Sequence, residues 1–134
     1  MLLEEKLTYK LRGCFYDLRN KYGRHHSERI YDRALDEQFI SKNISFISKP
    51  KIDIYSLDSG RKIGIYVPDK LVEDSVIIEI KAKPFTSKDD EMQLIEYLKA
   101  SKYEIGYLVN FGESEFNPKR FIYTNDRKSF LQDR

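Results

Sequence analysis

The sequence is poor in the residues that staple or interrupt a chain. Of its 134 residues, one is cysteine, four are proline, six are glycine and two are histidine. The single cysteine, Cys14, excludes an intrachain disulfide framework and a cysteine-rich zinc site. The prolines are scattered, and glycine and serine never cluster, so there is no linker, repeat or low-complexity tract. One domain over residues 1–134 is the expectation for this length. No apolar run approaches the roughly 18 residues that a membrane span needs. The opening Met-Leu-Leu-Glu-Glu-Lys carries acids where a signal peptide carries bases, which points to a cytoplasmic protein. An excess of charge of one sign is also missing. With 24 basic and 22 acidic residues the net charge is +2, so only a local patch can speak for or against a nucleic-acid partner.

What the chain does have is apolar residues in ordered periods. Leu, Ile, Val and Phe number 12, 14, 4 and 8, about 28% of the chain, which is too many for a disordered protein. Leu3, Leu7, Leu11, Cys14, Leu18 and Tyr22 recur at spacings of three and four, predicting an amphipathic helix that stops before Gly23. A second helix is predicted over 28–42. Ser27 is its N-cap, Glu28 suits its first turn, and Tyr31, Ala34, Leu35, Gln38 and Phe39 form its buried stripe. The period then changes to two. Ile52 and Ile54 alternate in one strand, Asp58-Ser59-Gly60 is a turn, and Ile63, Ile65 and Val67 alternate in the next strand. After the turn at Glu73-Asp74-Ser75, Val76 to Lys81 reads as a strand buried on both faces. Thr86 or Ser87 caps a helix reaching about residue 102, with Leu94, Ile95 and Leu98 as its core. Residues 105–111 are a further strand, and 121–123 are a candidate last one. The order ααβββαβ, with that final β, predicts an α/β fold: a three-strand meander and a helix crossover forming a mixed sheet flanked by helices.

Chemistry concentrates at Asp69, Glu79 and Lys81. Glu79 and Lys81 are two apart on a strand and share a face. A hairpin centred on residue 74 sets Asp69 opposite Glu79, on a face that Ile63, Ile65, Val67 and Ile77 are expected to make apolar. A Glu-x-Lys pair in a strand is often a solvated salt bridge worth under about 1 kcal/mol. On an apolar face, however, two adjacent carboxylates are costly to bury and repel one another. A divalent cation relieves both problems, and oxygen ligands suit Mg²⁺ or Mn²⁺ better than Zn²⁺. Such an ion polarises a phosphodiester and activates water, and the lysine can orient that water or stabilise developing negative charge.

Pro68-Asp69 followed by Glu79-Ile80-Lys81 resembles the motif of the PD-(D/E)XK nuclease superfamily. More closely, the chain resembles that superfamily's GxxExxY family. The likeness is carried by Leu7-Thr8-Tyr9-Lys10 through Gly13, by Gly23 to Tyr31, and by Tyr66-Val67-Pro68-Asp69. It continues in Val76 to Ala82, Gln93 to Leu98 and Gly106 to Gly112, and it spans residues 7–123. There are departures. Gly23-Arg24-His25-His26-Ser27 stands where the family has Gly-Pro-Gly-Phe-Leu, and Lys70 stands where an aromatic commonly follows Pro-Asp.

The resemblance implies a restriction-endonuclease-like core and a metal-dependent nuclease acting on DNA rather than RNA. It implies Asp69 and Glu79 as ligands of Mg²⁺ or Mn²⁺, Lys81 as the catalytic lysine, Glu28 as a further acid of the site and Gln93 as a helical glutamine bonding the site or substrate. Tyr31, Lys70 and Tyr97 are expected substrate contacts. Glu28, three before Tyr31 and seven before Leu35, is expected to continue the buried stripe toward the sheet. A homodimer is a reasonable expectation, since many small nucleases span a duplex with a second subunit. The alternative is a non-catalytic nucleic-acid or protein binding module that keeps the fold. Cys14 reads as core, His25-His26 as a solvated loop, and Lys119, Arg120, Arg127 and Lys128 as a solvated basic end.

Overall fold

The computed structural model describes residues 4–132; Leu3, in the first predicted helix stripe, lies outside them. Helix α1 (Glu5–Tyr22) buries Leu11, Cys14 and Leu18 of the expected stripe and Phe15 beside them, whereas Leu7 is half-buried and Tyr22, expected at the end of the stripe, is exposed. Gly23, at φ 75°, ends it by donating its N–H to the Arg19 carbonyl at 2.9 Å, in a backbone region that glycine enters without strain. Helix α2 (Glu28–Ser41) starts at the Ser27 cap and buries Tyr31, Leu35 and Phe39. These two helices pack on one face of a sheet, around a core that includes Ile78, Ile80, Tyr107 and Val109.

The strands are β1 (Phe46–Ser48), β2 (Ile52–Tyr55), β3 (Lys62–Tyr66), β4 (Lys70–Val72), β5 (Val76–Lys81), β6 (Ile105–Asn110) and β7 (Lys119–Ile122). Five of them form a sheet in the order β1-β4-β5-β6-β7. Only the β5–β6 pair is parallel, because it alone is joined by a helical crossover. That crossover contains α3 (Lys88–Lys99), capped by Ser87, whose hydroxyl accepts from the Asp90 N–H. Helix α3 covers the second face through Leu94 and Leu98, against Ile77 and Leu108. A Cβ on Gly106 would stand 2.9 Å from a Leu94 methyl, so α3 lies close on the sheet there. The architecture is α/β, with a mixed sheet between helices.

The expected three-strand meander is not what forms. β2 and β3 make a separate two-stranded sheet, and β4, not β3, is the partner of β5. The facing of β3 is also the reverse of the reading. Ile63, Ile65 and Val67 are 69%, 51% and 51% exposed, whereas Tyr66 is buried. Ile52 pairs with Tyr66 and Ile54 with Gly64, so the inner face of this hairpin is built from even-numbered residues. The aromatic ring of Tyr66 takes the interior position that the aliphatic alternation seemed to claim. The third predicted helix also ends at Lys99, three residues early, where Ala100 and Ser101 fold back on the Tyr97 and Leu98 carbonyls.

Candidate active site

The site is set by a tight turn. Glu73 and Asp74 both take left-handed conformations, φ 52° and 50°, and the Ser75 N–H returns to the Val72 carbonyl at 2.9 Å. Such a three-residue connection, Glu73-Asp74-Ser75, fixes register. Val72 faces Val76, Leu71 faces Ile77 and Lys70 faces Ile78. Continued by one residue, this puts Asp69 opposite Glu79, as the sequence spacing predicts. The two then lock reciprocally. The Asp69 N–H donates to Glu79 Oε1 at 3.3 Å, and Asp69 Oδ2 accepts from the Ile80 N–H at 2.7 Å.

Two further groups complete the pair. The Tyr66 hydroxyl donates to Glu79 Oε2 at 2.7 Å, and its ring stacks on Tyr97 with centroids 3.7 Å apart. Lys49 Nζ lies 2.5 Å from Asp69 Oδ1 and 3.7 Å from Asp32 Oδ2. Lys49 itself sits at φ 52° between β1 and β2, with its N–H donated to the Asp69 carbonyl at 2.9 Å. Burial pushes Glu79 up to about 7, the Tyr66 hydrogen bond opposes this, and the Asp69 charge adds to it. Burial first and the Glu79 charge second hold the Tyr66 hydroxyl firmly protonated. Lys81 shares the Glu79 face at the end of β5 and forms no ion pair among the described residues.

Glu28, at the start of α2, lines a cavity of about 430 Å³ together with Arg29, Asp32, Arg33, Lys49 and Asp69. Its carboxyl is raised, chiefly by lost hydration and next by Asp69, while Lys81 and Lys49 pull it back down. The electrostatic reach of Asp69 and Lys81 thus extends to Glu28, although Glu28 does not continue the buried stripe as expected: it is exposed.

A family model described as the PD-(D/E)XK nuclease superfamily matches residues 5–121. The chain belongs to the PD-(D/E)XK nuclease superfamily. No curated protein and no solved structure gives a match. Members of this superfamily are generally phosphodiesterase nucleases, and they typically use divalent metals such as Mg²⁺. Asp69, Glu79 and Lys81 lie within the matched residues.

The donor chemistry of this nuclease-fold site fits a hard divalent ion. Asp69 and Glu79 are oxygen donors held opposite one another across β4 and β5, linked through backbone amides. Mg²⁺ is commonly bound by one or two carboxylates with water completing its shell. No cluster of three His, Cys, Asp or Glu side chains close enough to hold a metal occurs among the described residues, so water would supply the rest. Lys49 provides the positive charge beside Asp69 in this structure, through a side chain that is 55% exposed.

Several expected contacts lie elsewhere. Lys70 is not on the carboxylate face. As the next residue along β4 it points to the opposite side, where its fully buried ammonium sits 2.5 Å from both Asp32 Oδ1 and Asp36 Oδ1. Tyr31 is also fully buried: its ring stacks on Phe111 and its hydroxyl donates to the Gly23 carbonyl. It shapes the entry to α2 instead of presenting a surface to substrate. Gln93 is exposed on α3 and makes no side-chain hydrogen bond among the described residues. Tyr97 is half-buried and reaches the site through its stack on Tyr66.

Sequence reasoning missed Tyr66 and Lys49. The signal for Tyr66 was available, since a lone aromatic out of phase with Ile63, Ile65 and Val67 marks the second face of β3. Lys49 carries no local signal, because its place depends on a left-handed backbone between strands of different sheets. Cys14 is core as read, and Lys128 is not solvated: its ammonium is buried between the Ser101 and Tyr103 carbonyls.

Proposed function

We propose that this protein is a metal-dependent nuclease of the GxxExxY branch, one domain over its 134 residues, hydrolysing phosphodiester bonds in DNA. The observation that carries this reading is the reciprocal lock of Asp69 and Glu79 across β4 and β5, with Lys81 unpaired on the same face. Asp69 and Glu79 would hold Mg²⁺ or Mn²⁺. When bound, the ion polarises the phosphodiester and lowers the pKa of water. Lys81, free of a carboxylate partner, is available to orient the attacking water and to meet charge developing on the phosphoryl oxygens. Tyr66 aims Glu79 by holding Oε2, leaving Oε1 to the backbone. Glu28, at the start of α2, lines the cavity beside Asp69 without joining the two carboxylates in a metal cluster.

The test is cleavage of plasmid and single-stranded DNA with Mg²⁺. Asp69→Ala and Lys81→Ala are expected to abolish it, and activity unchanged in both variants would sink the assignment.

A second reading, a binding module without turnover, draws support from Lys49, which already supplies a cation to Asp69. Calorimetric titration with Mn²⁺ separates the two. Binding that is lost in Glu79→Gln supports the enzyme, and no metal binding supports the module.

A further inference from the structure

The cavity beside Asp69 is walled by α2, and its cations are unequally engaged. Lys49 is paired with Asp69 and Asp32, and the buried Lys70 holds Asp32 and Asp36. Asp32 and Asp36 of the helix are therefore already matched to lysines, while Glu28 forms no ion pair among the described residues. Arg29 and Arg33 line the same cavity wall, are exposed, and form no ion pair among the described residues. Four residues apart, they stand one turn above the other on one side of α2. Arg24, His25 and His26, exposed in the loop before the helix, extend this edge.

A guanidinium presents a fixed fork of donors that matches phosphate, and two of them on one helix face suit an extended polyanion. Bulk charge does not explain attraction here. The cavity side chains balance, with Glu28, Asp32 and Asp69 against Arg29, Arg33 and Lys49, so grip must come from direct contacts.

We propose that Arg29 and Arg33 bind the phosphates flanking the scissile one, making the outer side of α2 the track along which a DNA strand enters the site. This rests on the nuclease reading above and adds to it where the substrate lies.

The experiment is fluorescence anisotropy with a short labelled single-stranded DNA, and an RNA of the same sequence, in EDTA to prevent cleavage, over a salt series. Arg29→Ala and Arg33→Ala are each expected to weaken DNA binding about fivefold or more and to lower the salt slope by about 0.7. Both sites are exposed on a helix, where alanine is well tolerated, and circular dichroism checks folding. Lys10→Ala, beside Glu73 at the far end of β4, should bind as wild type. Wild-type affinity and slope in both arginine variants overturn the track while leaving the nuclease reading intact. Loss of binding in these variants supports the track, and full cleavage by both Asp69→Ala and Lys81→Ala separately sinks the catalytic assignment of those two residues. Wild-type protein that binds neither polymer overturns both, and binding to RNA alone overturns the DNA track.

Discussion

Glu79 should make the metal-free protein less stable as pH rises. Its carboxyl is held up at about 7 in the fold, against 4.5 for an ordinary glutamate. Between those values the folded state keeps a proton that the unfolded chain has released, so unfolding becomes easier with each step upward. The stability linked to this proton is fully present below pH 4.5 and is lost as pH rises through about 7. At 1.36 kcal/mol for each tenfold change, the full difference is about 3 kcal/mol, most of it between pH 5 and pH 8. The figure belongs to the Asp69–Glu79 pair, because the two charges are felt together. Urea unfolding in EDTA at a series of pH values measures it. Glu79→Gln removes the titration and keeps the shape. Its amide places a donor among the donors of Tyr66 and Asp69, so its stability is lower throughout, but its slope with pH should be flatter than wild type. An unchanged slope in Glu79→Gln would refute the claim that this carboxyl is buried and crowded.

The remaining predictions follow from single contacts. Tyr66→Phe deletes the donor to Glu79 Oε2 and should move the midpoint of that stability loss up by about one pH unit, read from the same unfolding series. Lys70→Met leaves Asp32 and Asp36 facing each other without their buried cation and should cost about 3 kcal/mol in urea unfolding; Asp32→Ala should cost less, because Lys70 keeps Asp36. Gly112→Ala would place a Cβ 2.6 Å from the Lys83 backbone nitrogen and oxygen, forcing main chain to move, and should destabilise by about 2 kcal/mol in thermal or urea unfolding.

The parts of this protein that were legible in the sequence are those whose physics is local. Ser27 and the Thr86-Ser87 pair mark the starts of their helices, where Ser27 and Ser87 are the caps, because a cap needs only the next few amides. The opposition of Asp69 and Glu79 was legible because the three-residue connection Glu73-Asp74-Ser75 fixes a constant index sum along the hairpin. What failed was the placing of β3 in the main sheet, although the crossover strand β6 joins it as expected. The run Ile63, Ile65, Val67 has the alternation of a buried face, yet β3 leaves the main sheet and turns its even side inward. Lys70 was misplaced by the same parity that placed Asp69 correctly: one residue further along the strand, the side chain crosses to the α2 side and meets Asp32 and Asp36. The apolar wall expected around the carboxylates is therefore an aromatic one, Tyr66 on Tyr97, and it carries a hydroxyl. That difference matters for chemistry. An aliphatic wall would only desolvate Glu79, whereas Tyr66 desolvates it and also donates to it. Burial raises the carboxyl, the donated hydrogen bond holds that rise in check and aims the group, and Lys49 beside Asp69 adds the positive charge.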